Sequence, residues 1–406
     1  MFKPISAGEG QRKGGRLAPA LQIEYRTERR KYHQVYERVQ YIDFPKYQGC
    51  ILLCKVSKKV IKAVPNTGRH NTCHINSCHM LLQFHGVNIP LPRFIPLSTF
   101  TFGFQYSNDG KIIVAAPLGC PCQSCMAFIT EQLGYSYEII VGEELSDLWS
   151  KAKQYIDSDR PIVAGPLPME LYQQYNPQAP LTGYDSFCVV CGYDEENNTV
   201  FITDTFGLGY MPISMDSLES GWRKGKRLCP KALIPQVPFL FVVKEKLRAY
   251  DELEVARNAL KRACNLMKGQ ELSDSLSLGI IGEKKFARDL ENQFHISDTN
   301  KLAIVIGLLR DLLFLIGSQA KGDIAYLLRD FAAKASSQGE RSQTLSLAEL
   351  YEAEQTIYMD ALKTSSLTSK AIEAGSEFAP YFETLHKQMK EIVNLEEKAL
   401  DILQGL

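Results

Sequence analysis

Apolar residues fall into short runs broken by turn residues up to about position 244, and then recur at three- and four-residue spacing to the end. The first pattern predicts strands at KIIVAAPL (111–118), SYEIIVG (136–142), RPIVAGPL (160–167), SFCVVCGYD (186–194), NTVFITDTFG (198–207) and VPFLFVV (237–243). GCILLCKVSKKVIKAVP (49–65) reads as two short strands around Ser57, Lys58 and Lys59. Between these runs SDLWSKAKQYID (146–157) predicts a helix, with Ser146 as N-cap and Leu148 and Tyr155 on one face.

The second pattern predicts helices at 251–269, 279–294, 301–317, 323–338, 347–366 and 393–403, with Gly, Ser or Asn at their ends. In LAIVIGLLRDLLFLIG the charges Arg310 and Asp311 interrupt the apolar run, so it reads as a buried helix and not a membrane span. The opening residues to Pro19 are Gly-, Lys- and Arg-rich without periodicity, and the charged stretch 21–45 has room for a short helix. The expected architecture is α+β: a flexible or extended region 1–45, a domain 46–244 built on an antiparallel sheet, and an all-helical domain 245–406.

Composition narrows the possible partners. Lys+Arg and Asp+Glu both number 46, so no net charge recruits nucleic acid or an anionic membrane. The eleven cysteines are odd in number, and the N-terminal stretch has no apolar core of signal-peptide length. Both features point to free thiols in a reducing, cytoplasmic setting.

RHNTCHINSCHMLLQFHG (69–86) holds four of the seven histidines and two of the cysteines. Ile75, Cys78, Leu81, Leu82 and His85 follow a helical stripe, Asn71 or Thr72 can cap its start, and Gly86 stands where a helix stops. Cys73 then lies in the first turn, where free N–H groups and the helix dipole favour a thiolate and can hold an oxyanion. A metal reading competes with this one. His70, His74 and Cys78 are four apart in turn, and Cys120, Cys122 and Cys125 of CPCQSC add a further set of soft ligands. Metal binding ranks below the nucleophile here and level with plain free thiols. Cys188 and Cys191 read as strand core, and FGLGY (206–210) lacks a dinucleotide-binding glycine pattern, so no cofactor is expected.

The order of these motifs carries a resemblance. Cys73 is followed thirteen residues on by Gly86 with an apolar helix between, and later come an apolar strand ending Gly-Tyr-Asp and a second strand ending at Asp204. This arrangement resembles papain-like bacterial cysteine peptidases of the C39 type. FTFGFQY (100–106), RPIVAGPLPMELY (160–172) and GIIGEKKFARDL (279–290) make it more particularly similar to the butirosin-biosynthesis acyltransferase family, whose papain-like domain is followed by a helical one. The resemblance implies a cysteine that takes an acyl group from a thioester on an acyl carrier protein and passes it to a small-molecule amine, forming an amide. It also implies a base six residues before Gly192 and an orienting residue at Asp204. The base position holds Ser186, and serine accepts no proton near neutral pH. His70, in the loop before the helix, is the expected stand-in. Thr67 occupies the place of the papain-type oxyanion glutamine, which leaves Asn66 or Asn71 to substitute. A catalytically silent papain-like binding protein is the alternative, and the oligomeric state is open.

Overall fold

A computed structural model describes residues 57–62, 64–66, 72–108, 113–119, 122–142, 144–168, 171, 185–203, 210–228, 238–273, 276–292 and 299–406. Val56–Leu406 forms one compact unit. The tail, the charged stretch 21–45 and the first part of the 49–65 reading lie outside the described residues.

The fold is α+β with a papain-like layout: a helix packed on an antiparallel sheet, followed by a helical region. In chain order the first part runs β1 (Lys58–Val60), α1 (Cys73–Phe84), α2 (Leu91–Leu97), β2 (Gln105–Asn108), β3 (Ile113–Ala116), α3 (Cys122–Gln132), β4 (Tyr135–Val141), α4 (Leu145–Asp157), β5 (Ile162–Pro168), β6 (Asp185–Asp194), β7 (Thr199–Thr203), β8 (Tyr210–Ser214), α5 (Met215–Leu228) and β9 (Phe239–Lys246). The main sheet has the order β4-β9-β5-β6-β7-β8, and β1 pairs with the far end of β6. All of its pairings are antiparallel. The predicted strands from 136 to 243 all contribute to it. β5 and the middle of β6 are apolar on both faces because helices cover both sides of the sheet.

Two local readings differ. α4 begins at Leu145 after Glu144, so Ser146 is its second residue and not its cap; an extended backbone at Glu144 sets the start. CPCQSC opens α3, and Cys122 and Cys125 are buried residues of that helix.

The second part contains α6 (Glu252–Lys268), the short strands β10 (Glu271–Ser273) and β11 (Leu276–Leu278), α7 (Gly279–Asn292), α8 (Thr299–Leu308), a π-helical segment Leu309–Leu315, α9 (Ile316–Lys334), α10 (Gln338–Glu373) and α11 (Ala379–Gly405). Asp251 caps α6 through the Leu253 N–H at 2.8 Å, and Ser337 caps α10 through the Glu340 N–H at 3.1 Å. The runs 301–317 and 323–338, expected as two helices, continue into each other through the π segment.

The two parts interlock. β11 pairs with β2, so a second sheet of order β10-β11-β2-β3 draws strands from either side of position 244. Phe104, Tyr106 and Ala115 pack with Phe286, Leu302 and Met389 in one core. The other core joins the main sheet to Leu328, Leu347 and Leu400 of the helices. Arg93 of α2 bridges Glu252 of α6 and Asp330 of α9, the latter at 3.0 Å. No described helix is long and apolar enough to cross a membrane.

Candidate active site

α1 is the central helix of the first part, and its burial explains its composition. Nine of its twelve residues, from His74 to Leu82, are buried, so no polar face is left for solvent. The predicted stripe Ile75, Cys78, Leu81 and Leu82 is one part of that buried surface. Thr72 precedes the first turn without a side-chain cap, and Gly86 closes the helix in the left-handed region at φ 87°.

Cys73 is the first residue of α1 and is partly exposed, while the other free cysteines among the described residues, Cys78, Cys122, Cys188, Cys191 and Cys264, are buried. Burial pushes the Cys78 thiol up to about 12, against a weak contact with Thr130 Oγ1 at 3.7 Å, and it pushes Cys191 up as well. Those sulfurs behave as core atoms. Cys125 is disulfide-bonded, contrary to the expectation that every thiol is free.

The histidine next to the thiol is not placed to serve it. His74 is fully buried, its ring edge-on to Phe100 at 4.0 Å and 5.7 Å from Phe187, and its Nε2 has no hydrogen-bond partner. Desolvation lowers its pKa to about 3, so it is a neutral imidazole at any ordinary pH. His79, whose Nε2 lies 2.7 Å from the Ile89 carbonyl, is likewise lowered to about 4 by burial.

The same contact locates Ser186. Phe187 is its neighbour on β6, so the start of β6 and the first turn of α1 lie at one end of the helix-on-sheet packing. Ser186 pairs with Leu167 of β5 and is buried, with its hydroxyl directed to the Phe187 carbonyl at 3.4 Å, a weak bond. Phe187 packs on Phe239 at 5.4 Å and over Gly165, where a Cβ would come within 2.5 Å of its ring. RPIVAGPL thus supplies the gap that admits this ring.

His70, Thr67, Asn71, Asp204 and Cys120 lie outside the described residues, and Asn66 is exposed. β7 delivers the chain to Thr203, a buried residue paired with Val189. Among the described residues, no group of three or more His, Cys, Asp or Glu side chains is placed to hold a metal ion.

Sequence reasoning missed two contributors. Phe100 and Phe187 form the aromatic wall around His74, and in the sequence they look like any core phenylalanine. Thr99, just before Phe100, adopts φ 65° in the turn after α2, where its N–H donates to Pro96 at 2.9 Å. A β-branched residue there stores on the order of 1–3 kcal/mol of strain, and nothing in the sequence marks it.

The Gly-Tyr-Asp signature proves to be structural. A Cβ on Gly192 would meet the Lys59 carbonyl at 2.6 Å and Val60 Cα at 2.9 Å, because β1 passes directly over it. Tyr193 donates to Asp157, and Lys153 stands 4.5 Å over its ring. Asp194 pairs with Lys58 at 2.7 Å and accepts from the Asn197 N–H at 3.2 Å, fixing the hairpin into β7; Lys58 and Asn197 together hold its carboxyl down to about 2.

With this arrangement in place, comparison with known proteins is informative. Residues 59–229 match the family described as "Peptidase_C39 like family". The match takes in Cys73, the nucleophile helix and β6 to β8. The chain is also 29% identical over 159 residues, 38% of its length, to the uncharacterized protein YobF of Bacillus subtilis (strain 168). It spans about half of that relative, 49%.

Proposed function

We propose that this chain is a cysteine-dependent acyltransferase of papain-like build. Cys73 attacks the carbonyl of an acyl thioester carried on an acyl carrier protein; the carrier thiolate leaves, and the acyl group is held as a thioester on Cys73. An amine of a small acceptor then attacks that carbonyl, an amide forms, the Cys73 thiolate leaves, and the amine proton passes to solvent or to a base. The observation that carries this reading is Cys73 itself, the partly exposed free thiol in the first turn of the central helix within the matched region.

Ser186 bears on the choice of donor. Thiol-to-thioester exchange is nearly isoenergetic and demands less of a base than amide cleavage, so a site without an imidazole at position 186 suits a thioester better than a peptide. His74 is neutral and stacked in the aromatic wall. His70 is the residue proposed to accept the proton, with Asp204 in the orienting role.

The direct test is intact-mass analysis after mixing the protein with an acyl-pantetheine thioester. The expected result is one acyl mass added to wild type, none to Cys73→Ala, and release of the group by an added amine. A second reading, a silent papain-like binding protein, is favoured by the buried Ser186 hydroxyl bonded to its own strand. It prevails if no thioester yields an adduct while carrier protein still binds. Metal analysis of protein purified without chelator separates off the metal reading, and about one equivalent of zinc or iron per chain would reorder these proposals.

A further inference from the structure

Four helices each turn one ionisable side chain inward: Glu283 from α7, Lys321 from α9, Glu354 from α10 and Glu396 from α11, all shut off from water. Lys321 Nζ lies 3.1 Å from Glu354 Oε1 and in closer contact with Glu396 Oε1. The rings of Tyr351 and Tyr358 stand 5.1 and 5.9 Å from the same nitrogen. Tyr358 fits because Gly317 leaves room, since a Cβ there would come within 2.4 Å of its ring. Several polar atoms of this cluster have no hydrogen-bond partner: Glu283 Oε2, both oxygens of Glu354, Glu396 Oε2 and the Tyr358 hydroxyl. Glu354 Oε1 is at ion-pair distance from Lys321 but off the angle of a hydrogen bond. The Tyr351 hydroxyl donates to Met267 Sδ at 3.4 Å. Further out, Lys284 pairs with Glu397, and Lys285 approaches Glu271 at 3.8 Å, both nearer the solvent.

Charge counting decides the state of this cluster. One ammonium balances one carboxylate, and three ionised carboxylates around Lys321 would bury two uncompensated negative charges. That costs several kcal/mol per ion, and a buried acid escapes the cost by keeping its proton. Burial, and then repulsion from Glu396, drive Glu283 and Glu354 well above the usual carboxylate range. Against the opposing effect of burial, Glu354, Glu396 and Glu283 hold Lys321 charged.

We propose that Glu283, Glu354, Glu396 and Lys321 form a proton-operated latch: a Lys321–Glu396 ion pair flanked by two neutral carboxylic acids, which releases its four helices when those acids ionise. The latch touches the neighbourhood of Cys73. Tyr351 meets Phe102 edge-on at 6.0 Å, and Phe102 belongs to the same turn that sets Phe100 against His74.

Infrared spectroscopy of the full chain tests this independently of any activity. At neutral pH wild type is expected to show the carbonyl stretch of protonated carboxyl groups, diminished in Glu283→Gln and in Glu354→Gln, and lost in alkali together with near-ultraviolet dichroism. Because glutamine cannot ionise, each variant should move the midpoint of alkaline unfolding upward by about one pH unit. A neutral-pH wild-type spectrum without that stretch overturns the proposal even if neither variant folds. So does alkaline unfolding of the variants at or below the wild-type pH.

Discussion

Cys73 differs from the other described free thiols in accessibility, and accessibility controls alkylation before any question of thiolate formation arises. Limited treatment with iodoacetamide at neutral pH, followed by mass mapping, should label Cys73 well ahead of Cys188 and Cys264; slower labelling of Cys73 than of either would remove it as the nucleophile. The partner position is tested by gain of function. Ser186→His puts an imidazole where the resemblance expects one, and it should speed capture of an acyl thioester by Cys73. Because Ser186 is 1% exposed, the larger ring must displace neighbours, and a stability cost of about 1–3 kcal/mol in urea unfolding should accompany the gain. Wild type that already reacts as fast, with no increase in the variant, would direct attention to His70 through His70→Ala.

Elements were legible where pattern and packing agree. β6 announces itself as an apolar run with turn residues after it, and the long helices after 250 keep three- and four-residue spacing. β10, β11 and β2 span three or four residues each, too short to display alternation, so a sheet that crosses the expected domain boundary at 244 left no trace. α1 was recognised by its stripe, yet burial on all sides follows from the sheet, α2 and α3 around it, which no single segment encodes. Glu283, Glu354 and Glu396 read as solvated helix charges, because the lysine that matches them comes from a different helix. Cys73 and Ser186 were legible through motif order, whereas the wall of Phe100 and Phe187 depends on pairing distant segments. Gly192 carries the prediction that belongs at this scale. Gly192→Ala must push β1 off β6, and a loss of about 1–3 kcal/mol in urea unfolding is expected; an unchanged midpoint would mean that β1 does not pack there.

For the whole molecule, buried ionisable groups set a stability profile that falls toward acid. In the unfolded chain His74 takes up a proton near its ordinary pKa of about 6.5, while in the folded chain desolvation delays protonation until about pH 3. Below about 6.5 the unfolded state therefore binds more protons, so stability contributed by neutral His74 is present above that pH and is lost progressively as pH falls toward 3. His79 adds to the same limb, with its folded value at about 4. The combined loss is on the order of several kcal/mol, a large share of the stability of an ordinary domain. Raised carboxyls such as Glu283 and Glu354 act in the opposite sense, since their contribution is complete below their unfolded values and disappears as pH rises through the folded ones. His74→Phe keeps an aromatic ring against Phe100 and Phe187 and removes the proton acceptor. Acid unfolding followed by tryptophan fluorescence should then set in at lower pH and more shallowly than in wild type. An acid limb unchanged in position and slope would show that His74 is not held neutral by burial, and the aromatic wall beside Cys73 would have to be redrawn.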